Sequence, residues 1–140
     1  MASKAEPEIH PIAAEQPPFA RHLGLRLLSA TPERVEAEMV AAPDLINRNG
    51  HLHGGAIMAL ADNLGGTAAF LNLGPGEGTT TVESKTNFFR PVPAGEKVRA
   101  VAVPLHLGRS TQVWQTTLTL ANGKIAAIVT QTQFTLKPKA

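Results

Sequence analysis

Asn47, Gly54, Gly55 and Asp62 are the residues of this chain whose types and spacing could do chemistry. They fall in NRNGHLHGGAIMALADNLGG, residues 47 to 66, where one carboxylate sits inside an otherwise apolar, glycine-rich helical segment. A glycine in a helix interior costs about 1 kcal/mol relative to alanine, and an unpaired carboxylate among Ile57, Met58, Leu60 and Leu64 costs more. Two local rules broken together mark a place where function overrides stability. No Ser, Thr or Asp directly precedes Gly54, so the helix start lacks a standard side-chain cap and its first amides are expected to be free. Gly54 and Gly55 have no side chains to obstruct a ligand, so a carbonyl oxygen can approach them and be polarised as in an oxyanion hole. Two structural uses stay open at this point: glycines that only permit close packing on a sheet, and an Asp62 paired with Lys or Arg.

Asp62 lies eight residues beyond Gly54, roughly 12 Å along the axis at about 1.5 Å per residue. One chain cannot easily bring both to one substrate. Two antiparallel helices from two subunits would do so, and the small residues at positions 55, 59, 65, 66 and 69, with Met58 beside them, suit close helix approach. A two-fold dimer with two equivalent shared sites is therefore expected.

The elements that must position these residues are legible from periodicity. PFARHLGLRLLS reads as a short helical turn running into a strand, and ERVEAEMVA at 33–41 alternates apolar and charged residues as a half-exposed strand does. A loop then leads to a helix from about 53 to 72, which GPGEG at 74–78 ends. Four segments rich in β-branched residues follow, at 79–89, 97–107, 111–121 and 124–136, and Asn122-Gly123 marks a hairpin between the last two. A strand, one central helix and an antiparallel meander predict an α+β fold with the helix on one face of a curled sheet.

Composition bounds the rest. One hundred and forty residues, 43% hydrophobic and 17% charged, suit one globular domain, expected over 19–140 behind a flexible leader over 1–18. The leader has no hydrophobic signal core and no apolar run is long enough to span a membrane, so a cytoplasmic protein without membrane partners is expected. A net charge of +2 with scattered Lys and Arg, and five Phe with one Trp and no Tyr, argue against a nucleic-acid partner. With no cysteine there is no thiol nucleophile, disulfide or thiolate zinc site. His51 and His53 form an HxH pair without a third clustered ligand, so no metal is expected, and His10, His22 and His106 read as structural.

Asn47, His53-Gly54-Gly55 six residues later, Asp62 nine after the His, and an RP-containing turn after the next strand together resemble the hotdog-fold acyl-CoA thioesterases. The likeness is to the PaaI-like, or phenylacetate-pathway, and Arthrobacter-type 4-hydroxybenzoyl-CoA group, and it covers residues from about 19 to 136. It implies a hotdog fold, one long central helix wrapped by a curved antiparallel sheet, and hydrolysis of an acyl-CoA to carboxylic acid and free coenzyme A. By the same resemblance the Gly54 amide and the Asn47 side chain hold the thioester carbonyl, and Asp62 of the partner chain attacks it or activates water. Thr81 is the best match to a hydroxyl that relatives carry on the strand after the helix, with Thr80 on the opposite face. Some relatives carry Thr one turn after the acid, where this chain has Gly66. His53 is expected to orient the loop, Gly55 to adjoin the carbonyl, and Arg90 with the Gly108-Arg109-Ser110 turn to meet the nucleotide end of coenzyme A. No separate cofactor is implied, since coenzyme A belongs to the substrate; a homodimer or a dimer of dimers is. Competing readings on the same fold are a non-catalytic acyl-CoA sensor and a dehydratase or hydratase.

Overall fold

The computed structural model describes residues 9–139. Two short helices, α1 (Pro11–Ala14) and α2 (Pro18–Leu23), precede the strands β1 (Arg26–Thr31) and β2 (Arg34–Val40). A 3-10 turn at Pro43–Leu45 leads to the central helix α3 (Gly54–Phe70), and β3 (Gly78–Phe88), β4 (Lys97–Leu107), β5 (Thr111–Thr119) and β6 (Ile125–Leu136) complete the chain. The strands form one antiparallel sheet in the order β1-β2-β4-β5-β6-β3, and α3 packs against all six. The α+β architecture expected from the sequence is the one observed. Of the segment expected as a leader, residues 1–8 lie outside the described residues; Ile9 bridges to Ala30, and Ala13 in α1 is buried.

The core sits between α3 and the sheet. Ile57, Leu60, Ala61, Leu64 and Ala68 recur at helical spacing and meet Val35, Ala37, Met39, Val98, Ala100, Trp114, Leu118, Ala127 and Val129 from the inner face of the strands. The middle of α3 approaches β6 closely because position 65 has no side chain: a Cβ on Gly65 would collide with the carboxamide of buried Gln131. Near the C-terminal end of α3, the Gln112 Nε2 donates to the Ala69 carbonyl (3.3 Å), and Trp114 Nε1 donates to Gln112 Oε1 (2.9 Å). These bonds satisfy buried polar groups that would otherwise cost stability.

On the outer face, Glu36 of β2 is buried to 6% exposure between Arg34 and Arg99, whose Nη2 donates to Glu36 Oε2 at 2.6 Å. Burial pushes the Glu36 carboxyl up, but the Arg99 hydrogen bond and the Arg34 charge together hold it below its ordinary 4.5. A carboxyl depressed in the folded state stabilises the fold above its unfolded value and loses that contribution as the pH falls through the folded one. Urea midpoints should therefore fall more steeply below about pH 4.5 in the wild type than in Glu36→Gln. Parallel pH profiles for the two proteins would contradict this.

Candidate active site

The site is organised by one irregularity in β3. Its pairing with β6 shifts between Thr81 and Glu83, so Val82 is an extra residue and the strand changes parity there. Before the bulge Thr79 and Thr81 lie opposite Thr135 and Gln133; after it Ser84, Thr86 and Phe88 lie opposite Gln131, Val129 and Ala127. Those five β6 residues are the buried, helix-facing set. Odd residues before the bulge and even residues after it thus face α3. Without Val82, Thr81 and Phe88 could not both do so.

Thr81 uses this orientation to donate from Oγ1 to Asp62 Oδ1 at 2.9 Å. Thr80 pairs instead with Phe134, on the outer face. Behind Thr81, Gln133 Nε2 donates to Thr81 Oγ1 (2.6 Å) and Thr79 Oγ1 donates to Gln133 Oε1 (3.0 Å). Asp62 itself is exposed at the surface of this chain, so the expected burial among apolar neighbours does not hold; its helix turn carries the charge outward. Oδ2 of Asp62 bonds to no group among the described residues. Asp62 lines a cavity of about 380 Å³ with Gln16, Asn63, Gly66, Thr67 and Phe70, and a Cβ at Gly66 would meet open space there.

The start of α3 forms a second cavity, of about 420 Å³, lined by Asn47, His51, Gly54, Phe88 and Arg90 among others. The expectation of an uncapped helix needs correction. His53 is the N-cap, and its Nδ1 accepts from the Gly55 amide at 2.8 Å, a role that a neutral imidazole nitrogen fills as a carboxylate would. The Ala56 and Ile57 amides donate to the His53 carbonyl. Of the first four amides of α3, only that of Gly54 lacks an acceptor among the described residues. Gly55 is therefore engaged, Gly54 is available, and the Nδ1 lone pair of His53 is already used.

Asn47 sits in the same cavity with a fixed orientation. Its Oδ1 accepts from the Asn49 amide (2.9 Å) and the His51 amide (3.1 Å), closing an Asx-type turn. This leaves the two Nδ2 protons as its unused donors. Arg90 lines the cavity and donates from Nη1 to the Ile125 carbonyl at 2.7 Å. Gly108, Arg109 and Ser110 form the β4–β5 turn, near the other end of β3: the Ser110 carbonyl accepts from the Thr135 amide, and the Arg109 carbonyl accepts from Lys137 Nζ at 3.2 Å. That turn lines neither the Asp62 cavity nor the Gly54 cavity.

One chain thus brings Asn47, Gly54 and Arg90 together, brings Asp62 and Thr81 together, and leaves the two groups in separate cavities along α3. The small-residue face also needs correction. Gly65 and Ala69 are buried against the sheet, so the outward face is Gly55, Met58, Ala59, Asp62, Gly66 and Phe70. Gln133 and Thr79 are absent from the sequence-based set of site residues, although Gln131, Gln133 and Thr135 at alternate positions of an apolar strand signal polar groups turned inward. Among the described residues no three His, Asp or Glu side chains cluster as a metal site would require.

Residues 49–127 match the family model described as Thioesterase superfamily. The Haemophilus influenzae thioesterase HI1161 is similar in structure, with a TM-score of 0.79 and 32% identity over 85% of this chain and 82% of that one. The phenylacetic acid degradation protein PaaI of Thermus thermophilus, solved as a mutant, has a TM-score of 0.78 and 31% identity over 84% of this chain and 98% of its own. A Streptococcus mutans protein solved with acetyl-CoA bound has a TM-score of 0.75 and 25% identity, covering 82% of this chain and 91% of that chain. Shared topology and sequence over most of the length make this chain a member of the thioesterase superfamily, a hotdog-fold thioester hydrolase related to the PaaI-like proteins.

Proposed function

We propose that the substrate is an acyl-CoA and that each site is assembled from two subunits. The reading rests on one observation: the helix that carries Asp62 also carries the unengaged Gly54 amide, and the two open into different cavities of one chain. The thioester carbonyl oxygen accepts from Gly54 N–H and from Asn47 Nδ2, which are fixed before the substrate arrives and stabilise the charge that develops on that oxygen. Asp62 of the other subunit supplies the carboxylate. As a general base it takes a proton from water, whose oxygen adds to the carbonyl carbon. As a nucleophile it adds to that carbon itself, and water then opens the resulting anhydride. On both routes the C–S bond breaks, coenzyme A leaves as a thiolate that regains a proton, and one water is consumed per carboxylic acid released.

The exposed edge of β3 supports the dimer. This 11-residue strand pairs with β6 on one side only, and Val82 is 60% exposed. A long unpaired edge is a template for a second copy. Antiparallel pairing there would set two α3 helices side by side and bring Gly54 of one toward Asp62 of the other. Leu105, Phe134 and Leu136 are exposed on the outer sheet and favour a further pairing of dimers. Arg90 at one cavity and Arg109 in the β4–β5 turn supply cations suited to the phosphates of coenzyme A. No described helix is long and apolar enough to cross a membrane, and we propose that the protein acts in the cytoplasm. The test is a screen of aryl-, short-chain and long-chain acyl-CoAs for coenzyme A release. Turnover of at least one class is expected; binding of all of them without release would support a sensor instead.

A further inference from the structure

We infer that Gln133 and Thr79 are positioning residues that direct the Thr81 proton onto Asp62. The inference rests on the proposed role of Asp62, and it follows from counting donors and acceptors along Thr79, Gln133, Thr81 and Asp62. An ionised carboxylate can only accept, so the 2.9 Å contact requires the single proton of Thr81 to point at Asp62 Oδ1. Thr81 Oγ1 then has only acceptor capacity left, and the group 2.6 Å behind it must be a donor. That fixes the carboxamide of Gln133 with Nε2 toward Thr81 and Oε1 toward Thr79, whose hydroxyl donates to it at 3.0 Å. Every bond in the chain runs the same way, toward the carboxylate.

Burial gives this direction its effect. Gln133 is 1% exposed, so its amide cannot exchange these partners for water without cost. Were the amide turned over, Oε1 would face Thr81 and draw its proton away from Asp62. Thr79 satisfies the buried Oε1 in the observed orientation by donating to it. The result is a carboxylate with Oδ1 held from behind and Oδ2 without a partner among the described residues, beside the cavity that Asp62 lines, an arrangement that leaves one oxygen for water or a carbonyl carbon. The bulge at Val82 is part of the device, since Thr79 and Thr81 reach Gln133 only with the parity it imposes.

Steady-state kinetics on the full-length protein test this with an acyl-CoA that the wild type turns over. Gln133→Met keeps the side-chain volume and removes both bonds; kcat is expected to fall about 10-fold with KM within about twofold. In a Thr81→Val background the same substitution should cost less than about twofold more, because Gln133 acts only through that hydroxyl. Thr79→Val should lower kcat roughly threefold, while Thr79→Ser, which keeps the donor, should restore it. A kcat for Gln133→Met within twofold of wild type, or an undiminished cost in the Thr81→Val background, would overturn the inference. Should Gln133→Met not fold, the two Thr79 variants decide: a loss with Val and rescue with Ser supports the relay, and equal kcat in both rejects it. Asp62→Asn is run alongside. Full activity there would remove the underlying catalytic reading, whereas its inactivity with unaffected Gln133 and Thr79 variants would remove the relay alone.

Discussion

Asp62→Asn is expected to lower kcat for acyl-CoA hydrolysis by about 10³-fold while KM changes little, a loss of roughly 4 kcal/mol of transition-state stabilisation. The size follows from the role. The amide keeps the volume of the carboxylate and can still meet Thr81, but it can neither accept a proton from water at neutral pH nor add to a thioester carbonyl. Asp62 is exposed in the chain and its only partner among the described residues is Thr81, so the substitution removes no buried ion pair and the fold should tolerate it. Coenzyme A release under saturating substrate, with thermal melting as a control, measures the effect. An Asp62→Asn enzyme with wild-type kcat would exclude the carboxylate from the reaction.

The second large effect is expected at Gly54. Proline there removes the amide proton and little else, because Gly54 is the first residue of α3, where a helix accepts proline without losing an internal hydrogen bond. His53 already has the extended conformation, φ −60° and ψ 135°, that a residue before proline prefers. The new Cβ meets Phe88, whose Cζ would lie 3.2 Å away and must yield by a few tenths of an ångström. Gly54→Pro should therefore fold, bind substrate and lose about 10²- to 10³-fold in kcat, the usual effect of removing one oxyanion donor. Gly54→Ala is the control: it presents the same Cβ to Phe88 and keeps the N–H. If both variants lose activity equally, the cause is crowding at Phe88 rather than the missing donor.

Much of the fold is legible in the amino-acid sequence. Period-two alternation in ERVEAEMVA and the β-branched segments after residue 78 lead directly to the strands, and GPGEG marks the end of a helix observed over 54–70. Less legible is whatever depends on pairing rather than on composition. The bulge at Val82 is a shift against β6, and nothing in TTTVES singles out the residue that is skipped. His53 does not stand out as a cap because imidazole is not among the usual capping groups, yet its Nδ1 stands where a Ser or Asp oxygen would. Gly65 and Gly66 look alike in sequence, but a step of about 100° along the helix turns one onto Gln131 and the other into the Asp62 cavity. Gln133 and Thr79 lie 54 residues apart and meet only because β3 and β6 are neighbours.

In the proposed dimer Asp62 and Gly54 of a working site belong to different chains, and subunit mixing separates a shared site from one built within a single chain. Asp62→Asn and Gly54→Pro subunits, each nearly inactive alone, are co-expressed with separate tags, and dimers carrying both tags are isolated. In such a dimer one site holds both lesions and the other holds neither, so about half of wild-type activity per dimer should return. If purified mixed dimers stay as inactive as their parents, each site is built within one chain and the shared-site account is wrong.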